Sequence, residues 1–201
     1  MQTLNWNDVI TNAAEYPPSA MTIGVFDGVH LGHQALIRKV TERDFCPVVV
    51  TFRKNPKQVL APRTYAGDII TLDEKLRIFE CMGVQRTILI DFSEEFRHLK
   101  GCEFIELLIY KGNLRFLVVG NNFRCGYCLD TDAQSLKSIT TKRGIGCEIV
   151  GPLISGGERI SSSGIRAAMI AGDWAKAAAF LGREMPGISG KEMPHHNVQP
   201  F

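Results

Sequence analysis

Within ten residues, Gly24-Val25-Phe26-Asp27-Gly28-Val29-His30-Leu31-Gly32-His33 collects the groups needed to handle a phosphate. Gly24 and Gly28 permit a sharp turn and a close approach of backbone to ligand. His30 and His33 stand three apart, so in an opening helical turn their rings point the same way. The free amides and positive dipole end of such a turn attract an anion, and two imidazoles can donate hydrogen bonds to phosphate oxygens. The competing readings are a structural turn with two incidental histidines, and half of a metal site. No further ligand nearby completes a metal site, and Asp27 is readable either as a ligand or as a turn former. The G-x-G-x-x-G spacing of a dinucleotide fingerprint is absent.

A second stretch, Ile160-Ser161-Ser162-Ser163-Gly164-Ile165-Arg166, opens a helical run from Ile165 to Ala171. Serines at a helix start are ordinary caps. Three hydroxyls beside free amides, with Arg166 one turn on, also make a second anion site, and one serine can cap while another binds phosphate.

These residues need elements to hold them. Met21 to Phe26 predicts a strand, and Gln34 to Arg43 a helix. Pro47 to Phe52 is nearly continuous valine and threonine, as in a strand covered on both faces. A helix is expected over Leu72 to Met82, ending at Gly83, then a strand at Thr87 to Ile90 and a helix at Glu103 to Tyr110. Further strands are expected at Phe116 to Val119 and, as the last, Cys147 to Val150. This alternation predicts an α/β fold with a doubly wound, mostly parallel sheet. Ligands then sit at the carboxyl ends of the strands, after Phe26, Phe52 and Val119. After Leu181 the periodicity fades. Residues 184–201 read as a tail or truncated linker, and the His195-His196 pair within them as solvated.

The chain has 201 residues, 45% hydrophobic and 22% charged, which fits one globular domain and excludes a disordered or collagen-like chain. No apolar run is long enough to span a membrane, and no secretory signal is expected, since Met1 to Trp6 has no basic region followed by an apolar stretch. The net charge of +2 argues against a nucleic-acid binder with a broad basic field, but not against an anionic small ligand. Six cysteines without an export signal read as reduced thiols in a cytoplasmic protein. Cys125 and Cys128 form a lone C-x-x-C, a weak signal for either a redox pair or half of a zinc site.

Together the two motifs resemble the adenylyltransferase domain of prokaryotic bifunctional riboflavin kinase/FMN adenylyltransferases (FAD synthetases), a branch of the His-x-Gly-His nucleotidyltransferases. The likeness runs from about Met21 to Arg183. It includes Gly24 to His33, Ser161 to Arg166, and, between them, Val118-Val119-Gly120-Asn121-Asn122-Phe123, similar to the family's Val-Val-Gly-x-Asp/Asn-Phe. Gly172-Asp173 follows before the closing helix. The resemblance implies a Rossmann-like nucleotidyltransferase fold over residues 1–183. It also implies a reaction of FMN with ATP and Mg²⁺ that yields FAD and pyrophosphate. On this basis His30, His33 and Arg166 are expected to be catalytic, with Gly24, Val25, Phe26, Asp27, Gly28, Ser162 and Ser163 on the nucleotide. Asn122, Phe52 and Cys125 are expected on the flavin. The implied partners are ATP and FMN, with no nucleic acid, membrane or obligate protein partner.

Three features depart from the family pattern. Phe52-Arg53-Lys54-Asn55-Pro56 stands where Phe-Asp/Glu-Pro-His-Pro is usual, so the acid, one proline and the histidine are all replaced. Arg53 then either weakens the site or grips the FMN phosphate. Cys125 replaces an aromatic residue and offers a flavin far less contact area, for which Tyr127 could compensate. No riboflavin-kinase domain is expected behind Gly182 to Gly190. The alternatives to an FMN adenylyltransferase are a related transferase with another phosphorylated acceptor, and a flavin- or nucleotide-binding protein with little turnover.

Overall fold

A computed structural model describes residues 1–11 and 16–184. Its frame is a sheet of six parallel strands, from edge to edge Gln2–Asn5, Arg86–Ile90, Cys46–Phe52, Ser19–Ile23, Leu114–Gly120 and Gly146–Val150. In chain order the elements begin β1 (Gln2–Asn5), α1 (Trp6–Thr11), β2 (Ser19–Ile23), α2 (Leu31–Thr41), β3 (Cys46–Phe52) and α3 (Lys57–Leu60). They continue α4 (Leu72–Cys81), β4 (Arg86–Ile90), α5 (Glu94–Arg97), α6 (Gly101–Tyr110) and β5 (Leu114–Gly120). Next come β6 (Arg124–Cys125), a 3-10 turn (Tyr127–Leu129), β7 (Thr131–Asp132), α7 (Ala133–Lys142) and β8 (Gly146–Val150). Last are β9 (Ile154–Ser155), β10 (Glu158–Arg159), α8 (Ser162–Ile170) and α9 (Trp174–Leu181).

The central strands are apolar on both faces because helices cover both. In β3, Val48 and Val50 enter the core beneath α1, α6 and α7, among Trp6, Phe104, Leu108 and Leu136. Val49 enters the opposite core, with Ile37 and Val40 of α2 and Phe79 of α4. A third cluster, Ile165, Ala177, Phe180 and Leu181, joins α8 to α9 and meets Leu31 and Ile69. This is the doubly wound α/β architecture expected, and its strand order reverses between β2 and β5. A crevice at such a reversal, outside the carboxyl ends of the strands, is where this class of sheet binds ligands.

Several expected boundaries shift, each for a local reason. The first strand stops at Ile23 and not at Phe26, because Phe26 adopts a left-handed backbone, φ 52°. The following helix starts at Leu31, since His30 caps it. The helix after the serines covers Ser162–Ile170, capped by Ser161. Cys147 to Val150 belongs to the last strand of the main sheet but not of the chain. The two-residue strands β9 and β10 follow as a hairpin about Gly156 and Gly157. The edge strand β1 pairs with β4 and lies outside the periodic pattern read from residue 20 onward. Apart from Glu184, the expected tail, including His195 and His196, lies outside the described residues.

Candidate active site

The turn that follows β2 is held almost atom by atom. Every carbonyl from Val25 to Val29 accepts a hydrogen bond from the protein. Val25 O takes the Lys75 ammonium at 2.9 Å and the Thr51 hydroxyl at 3.1 Å. Phe26 O takes the Val29 amide at 3.2 Å, and Asp27 O the Ser162 hydroxyl at 2.9 Å. Gly28 O accepts from Arg183 at 2.6 Å, and Val29 O from Gln34 and Arg183 at 3.0 and 3.1 Å. Three residues of this turn, Phe26, Gly28 and Val29, have positive φ. A side chain at Gly28 would also meet Ile69 at 3.2 Å, so glycine is required there on two counts. A β-branched residue such as Val29 with φ 40° is uncommon, and the surrounding bonds are what hold it there.

At the end of the turn the two histidines stack, with ring centroids 3.6 Å apart and planes 17° from parallel. His30 caps α2: its Nδ1 accepts the His33 amide at 3.3 Å. That bond assigns the proton of the neutral His30 ring to Nε2. Burial lowers the His30 pKa to about 4, its bond to its own backbone opposing the shift and the charges of Arg159 and Arg183 adding to it. Burial also holds His33 well below the usual histidine range, with His30 and Lys75 contributing. Both rings are therefore neutral near pH 7 and act as hydrogen-bond donors, not cations. The Nδ1 atom of His33 is buried with no partner among the described residues.

A cavity of about 590 Å³ opens where the strand order reverses. It brings together Gly24, Val25 and Phe26 from the turn, His33 from α2, Phe52 from β3, and Asn122 and Cys125 from the segment after β5. These are seven of the residues singled out from sequence. The remaining six are not part of its lining. His30 lies under His33 in the stack. Asp27, Gly28, Ser162 and Arg166 form the support of the turn, and Ser163 is exposed at the start of α8. Arg166 is bonded to the Asp27 carboxylate and, at 2.7 and 3.2 Å, to the Gly67 carbonyl. The second Asp27 oxygen accepts the Ile69 amide at 2.8 Å. Asp27 is thus a structural brace between the turn, the segment before α4 and α8.

Much of the remaining wall was not singled out from sequence. Phe92, Phe96 and Phe104 line the cavity with Phe52. Phe96 is the hub, 5.9 Å from Phe52, 6.1 Å from Phe92 and 5.6 Å from Phe104, all edge-on. These rings come from separate elements, and no single window of sequence marks them as a group. Tyr127, half-exposed, also lines the cavity and stacks on His98 with centroids 5.1 Å apart. Arg97 and Arg124 bring positive charge to the same lining. Lys75 left a readable signal: it lies three residues after Leu72 and four before Phe79, a charge on an apolar stripe.

The departures from the family pattern also find their places. Arg53 donates to Asp91 at 3.1 Å and to Asn5 at 2.6 Å, and it is not part of the cavity lining. Buried Asn55 donates to Asp68 at 3.0 Å and accepts the Lys57 amide at 3.1 Å, tying the loop to the start of α3. Burial pushes the Cys125 thiol up to about 12, with Asp130 and Cys102 adding to the shift, so it is not a thiolate at neutral pH. All six cysteines are free. Among the described residues no three histidine, cysteine or acidic side chains gather to hold a metal, and no helix is long and apolar enough to cross a membrane.

Comparison with known proteins agrees with this geometry. The family described as FAD synthetase matches residues 12–164. A bifunctional riboflavin kinase/FMN adenylyltransferase of Escherichia coli K12 is 32% identical over 189 residues, covering 90% of this chain and 60% of that protein. The protein of the same name from Bacillus subtilis 168 is 34% identical over 175 residues, covering 84% of this chain and 55% of that one. The chain therefore spans less than two thirds of the length of these relatives. A crystal structure described as a macrolide-efflux protein from Streptococcus pneumoniae superposes with TM-score 0.79 at 29% identity, covering 92% of this chain and 63% of that one. A pantoate-beta-alanine ligase from Francisella tularensis, with TM-score 0.59 and 13% identity over 89% of this chain and 78% of that one, shares the fold. With the family match covering most of its length and the His-x-Gly-His turn seated at the sheet's reversal, the chain belongs to the FAD synthetase family.

Proposed function

We propose that this chain is an FMN adenylyltransferase, joining the adenylyl group of ATP to the phosphate of FMN and releasing pyrophosphate. The observation that carries this reading is a single cavity with two kinds of lining. One part is the glycine turn with His33, suited to phosphate. The other is a group of aromatic rings, suited to a flat heterocycle. Its volume of about 590 Å³ lies within the range of small-molecule sites.

The chemistry asks little beyond alignment and charge stabilisation. An ionised FMN phosphate oxygen attacks the α-phosphorus of ATP. The bond from that phosphorus to the bridging oxygen breaks, and pyrophosphate leaves with the electron pair. No general base is needed, because the nucleophile is already an anion. The neutral rings of His33 and His30 donate hydrogen bonds to phosphate oxygens as charge redistributes in the transition state. The free amides at the start of α8 receive the β- and γ-phosphates, Ser162 through its amide, since its hydroxyl is donated to the Asp27 carbonyl, and Ser163 through its exposed hydroxyl as well. Arg166 holds Asp27 and supplies positive charge behind them. Gly24 to Gly28 lie along the nucleotide, while Asn122, Phe52 and Cys125 face the flavin.

Mg²⁺ enters as the counter-ion of the ATP substrate. The described residues form no metal cage, and Asp27 is committed to Arg166 and the Ile69 amide. Magnesium held by phosphate oxygens and water fits such a site. We further assign residues 1–183 to one nucleotidyltransferase unit. Six free thiols and the nature of both substrates support a cytoplasmic setting for the activity.

A second reading, transfer to another phosphorylated acceptor, is favoured by Arg53 and Cys125, which stand where the family pattern has an acid and an aromatic ring. The test is to incubate the purified protein with ATP, Mg²⁺ and FMN and to separate the products. FAD and pyrophosphate in equal amounts support the first reading. Pyrophosphate release only with a different phosphorylated acceptor supports the second.

A further inference from the structure

Among the described residues Lys75 is the one buried lysine or arginine, with 6% exposure. A buried ammonium persists only where acceptors and opposite charges replace water. Its burial lowers its pKa, which Asp27 and Asp68 oppose. The charged and titratable groups around it are Asp27 of the turn, Asp68 of the segment before α4, and His33 of α2. Asp27 is already paired with Arg166, and Asp68 accepts from Asn55. The direct hydrogen bond of the ammonium is to the Val25 carbonyl, at 2.9 Å.

That carbonyl belongs to the peptide between Val25 and Phe26. In a planar trans peptide the N–H points opposite to the carbonyl, so Lys75 also turns the Phe26 amide away from α4. One turn later on the same helix, Phe79 packs edge-on against the Phe26 ring, with centroids 5.5 Å apart. Phe26 is fully buried, holds a left-handed backbone, and meets His33 with ring centroids 5.1 Å apart. Two side chains of α4 therefore grip successive residues of the turn, and the second of those residues bears on the histidine.

We propose that Lys75 is a positioning residue for adenylyl transfer: by holding the Val25 carbonyl it fixes the left-handed turn at Phe26 and, through that ring, the seat of His33. The proposal rests on the transferase reading for its catalytic consequence, and on geometry alone for its structural one.

Lys75→Met keeps the apolar stem and removes the donor. In NMR spectra of the protein alone, the His33 ring resonances should move in this variant while those of surface His98 stay. With FMN, ATP and Mg²⁺, kcat should fall by about 10- to 100-fold, the scale produced by a displacement of about 1 Å at a reacting group. KM for ATP should change by no more than about threefold, as expected when ground-state binding is retained. A folded variant with parental His33 resonances and parental kcat overturns the proposal, as does a loss carried wholly by KM for ATP. If Lys75→Met does not fold, Thr51→Val removes the other donor to the same carbonyl. Displaced His33 resonances then support the proposal, and unmoved ones overturn it. If the parent protein makes no FAD, the transferase reading fails by itself, and the His33 resonances still report whether Lys75 sets that ring.

Discussion

Arg166 and Asp27, 139 residues apart in the chain, are joined by a hydrogen-bonded ion pair that makes one structure of the His-x-Gly-His turn and the serine-rich start of α8. The Asp27 side chain is 6% exposed and that of Arg166 19%, so water screens the pair poorly. Asp27 also anchors the Ile69 amide, and its carbonyl receives the Ser162 hydroxyl. The carboxylate thus ties its own turn to two other segments, which is a reason to find an aspartate here even without a metal to bind.

Asp27→Asn should therefore be costly to the fold. Breaking a buried pair by neutralising one member leaves the other charge without its partner, at about 3–5 kcal/mol. Chemical denaturation of the variant measures the loss. Replacing both members, Asp27→Asn with Arg166→Met, should recover part of it, because no buried charge is then stranded. A single variant as stable as the parent contradicts the bracing role.

His33→Ala should leave the far-ultraviolet circular dichroism unchanged and lower kcat by about 10²- to 10³-fold, the loss typical of one transition-state donor. Turnover within a few-fold of the parent would show that the ring facing the cavity takes no part in the chemistry.

The pH dependence of stability has a definite sign. The unfolded chain binds a proton at His30 near 6.5, whereas the folded chain resists it down to about 4. The stabilisation is complete above pH 6.5 and is lost as pH falls toward 4, because the unfolded state binds more protons across that window. The lowered pKa of His33 acts in the same direction. The His30 shift corresponds to about 3 kcal/mol in total, at 1.36 kcal/mol per unit. His30→Asn keeps a good helix cap and removes one titrating group. Its melting temperature should therefore fall less steeply with acid than that of the parent. Identical slopes would remove His30 from the account.

Cys125→Phe restores the ring usual in the family at a position lining the cavity. An added aromatic contact contributes about 0.5–1.5 kcal/mol, so FMN binding, followed by quenching of flavin fluorescence, should tighten by roughly 2- to 10-fold. Weaker binding would mean that the acceptor itself occupies the space beside the sulfur.

How much of this was legible in the sequence depended on distance along the chain. The buried strands β2, β3 and β5 announced themselves as short β-branched runs, and the spacing of His30 and His33 foretold that their rings would share a direction. The stack of the two rings makes that local inference concrete. By its type Phe26 reads as the end of a strand, and nothing in that type reveals the left-handed backbone found beside Lys75, Thr51 and Phe79. Beside three serines Arg166 reads as an anion ligand, and its bond to Asp27, 139 residues away, leaves no local trace. Phe92, Phe96 and Phe104 carry no mark for the same reason: each is an ordinary apolar residue until the fold brings the three together. Arg53 reads equally as a weakening of the site or as a phosphate grip, whereas its bonds to Asp91 and Asn5 lead away from the cavity. The edge strand β1 and the two-residue hairpin strands are too short to carry a period.

The most direct measurement follows the α-phosphate. When the purified protein is given FMN, Mg²⁺ and ATP labelled at the α-phosphorus, chromatography should recover the label in FAD, one per FMN consumed. Label placed at the γ-position should appear in pyrophosphate. Binding of both substrates with no labelled FAD, or pyrophosphate release that requires an acceptor other than FMN, would contradict the account.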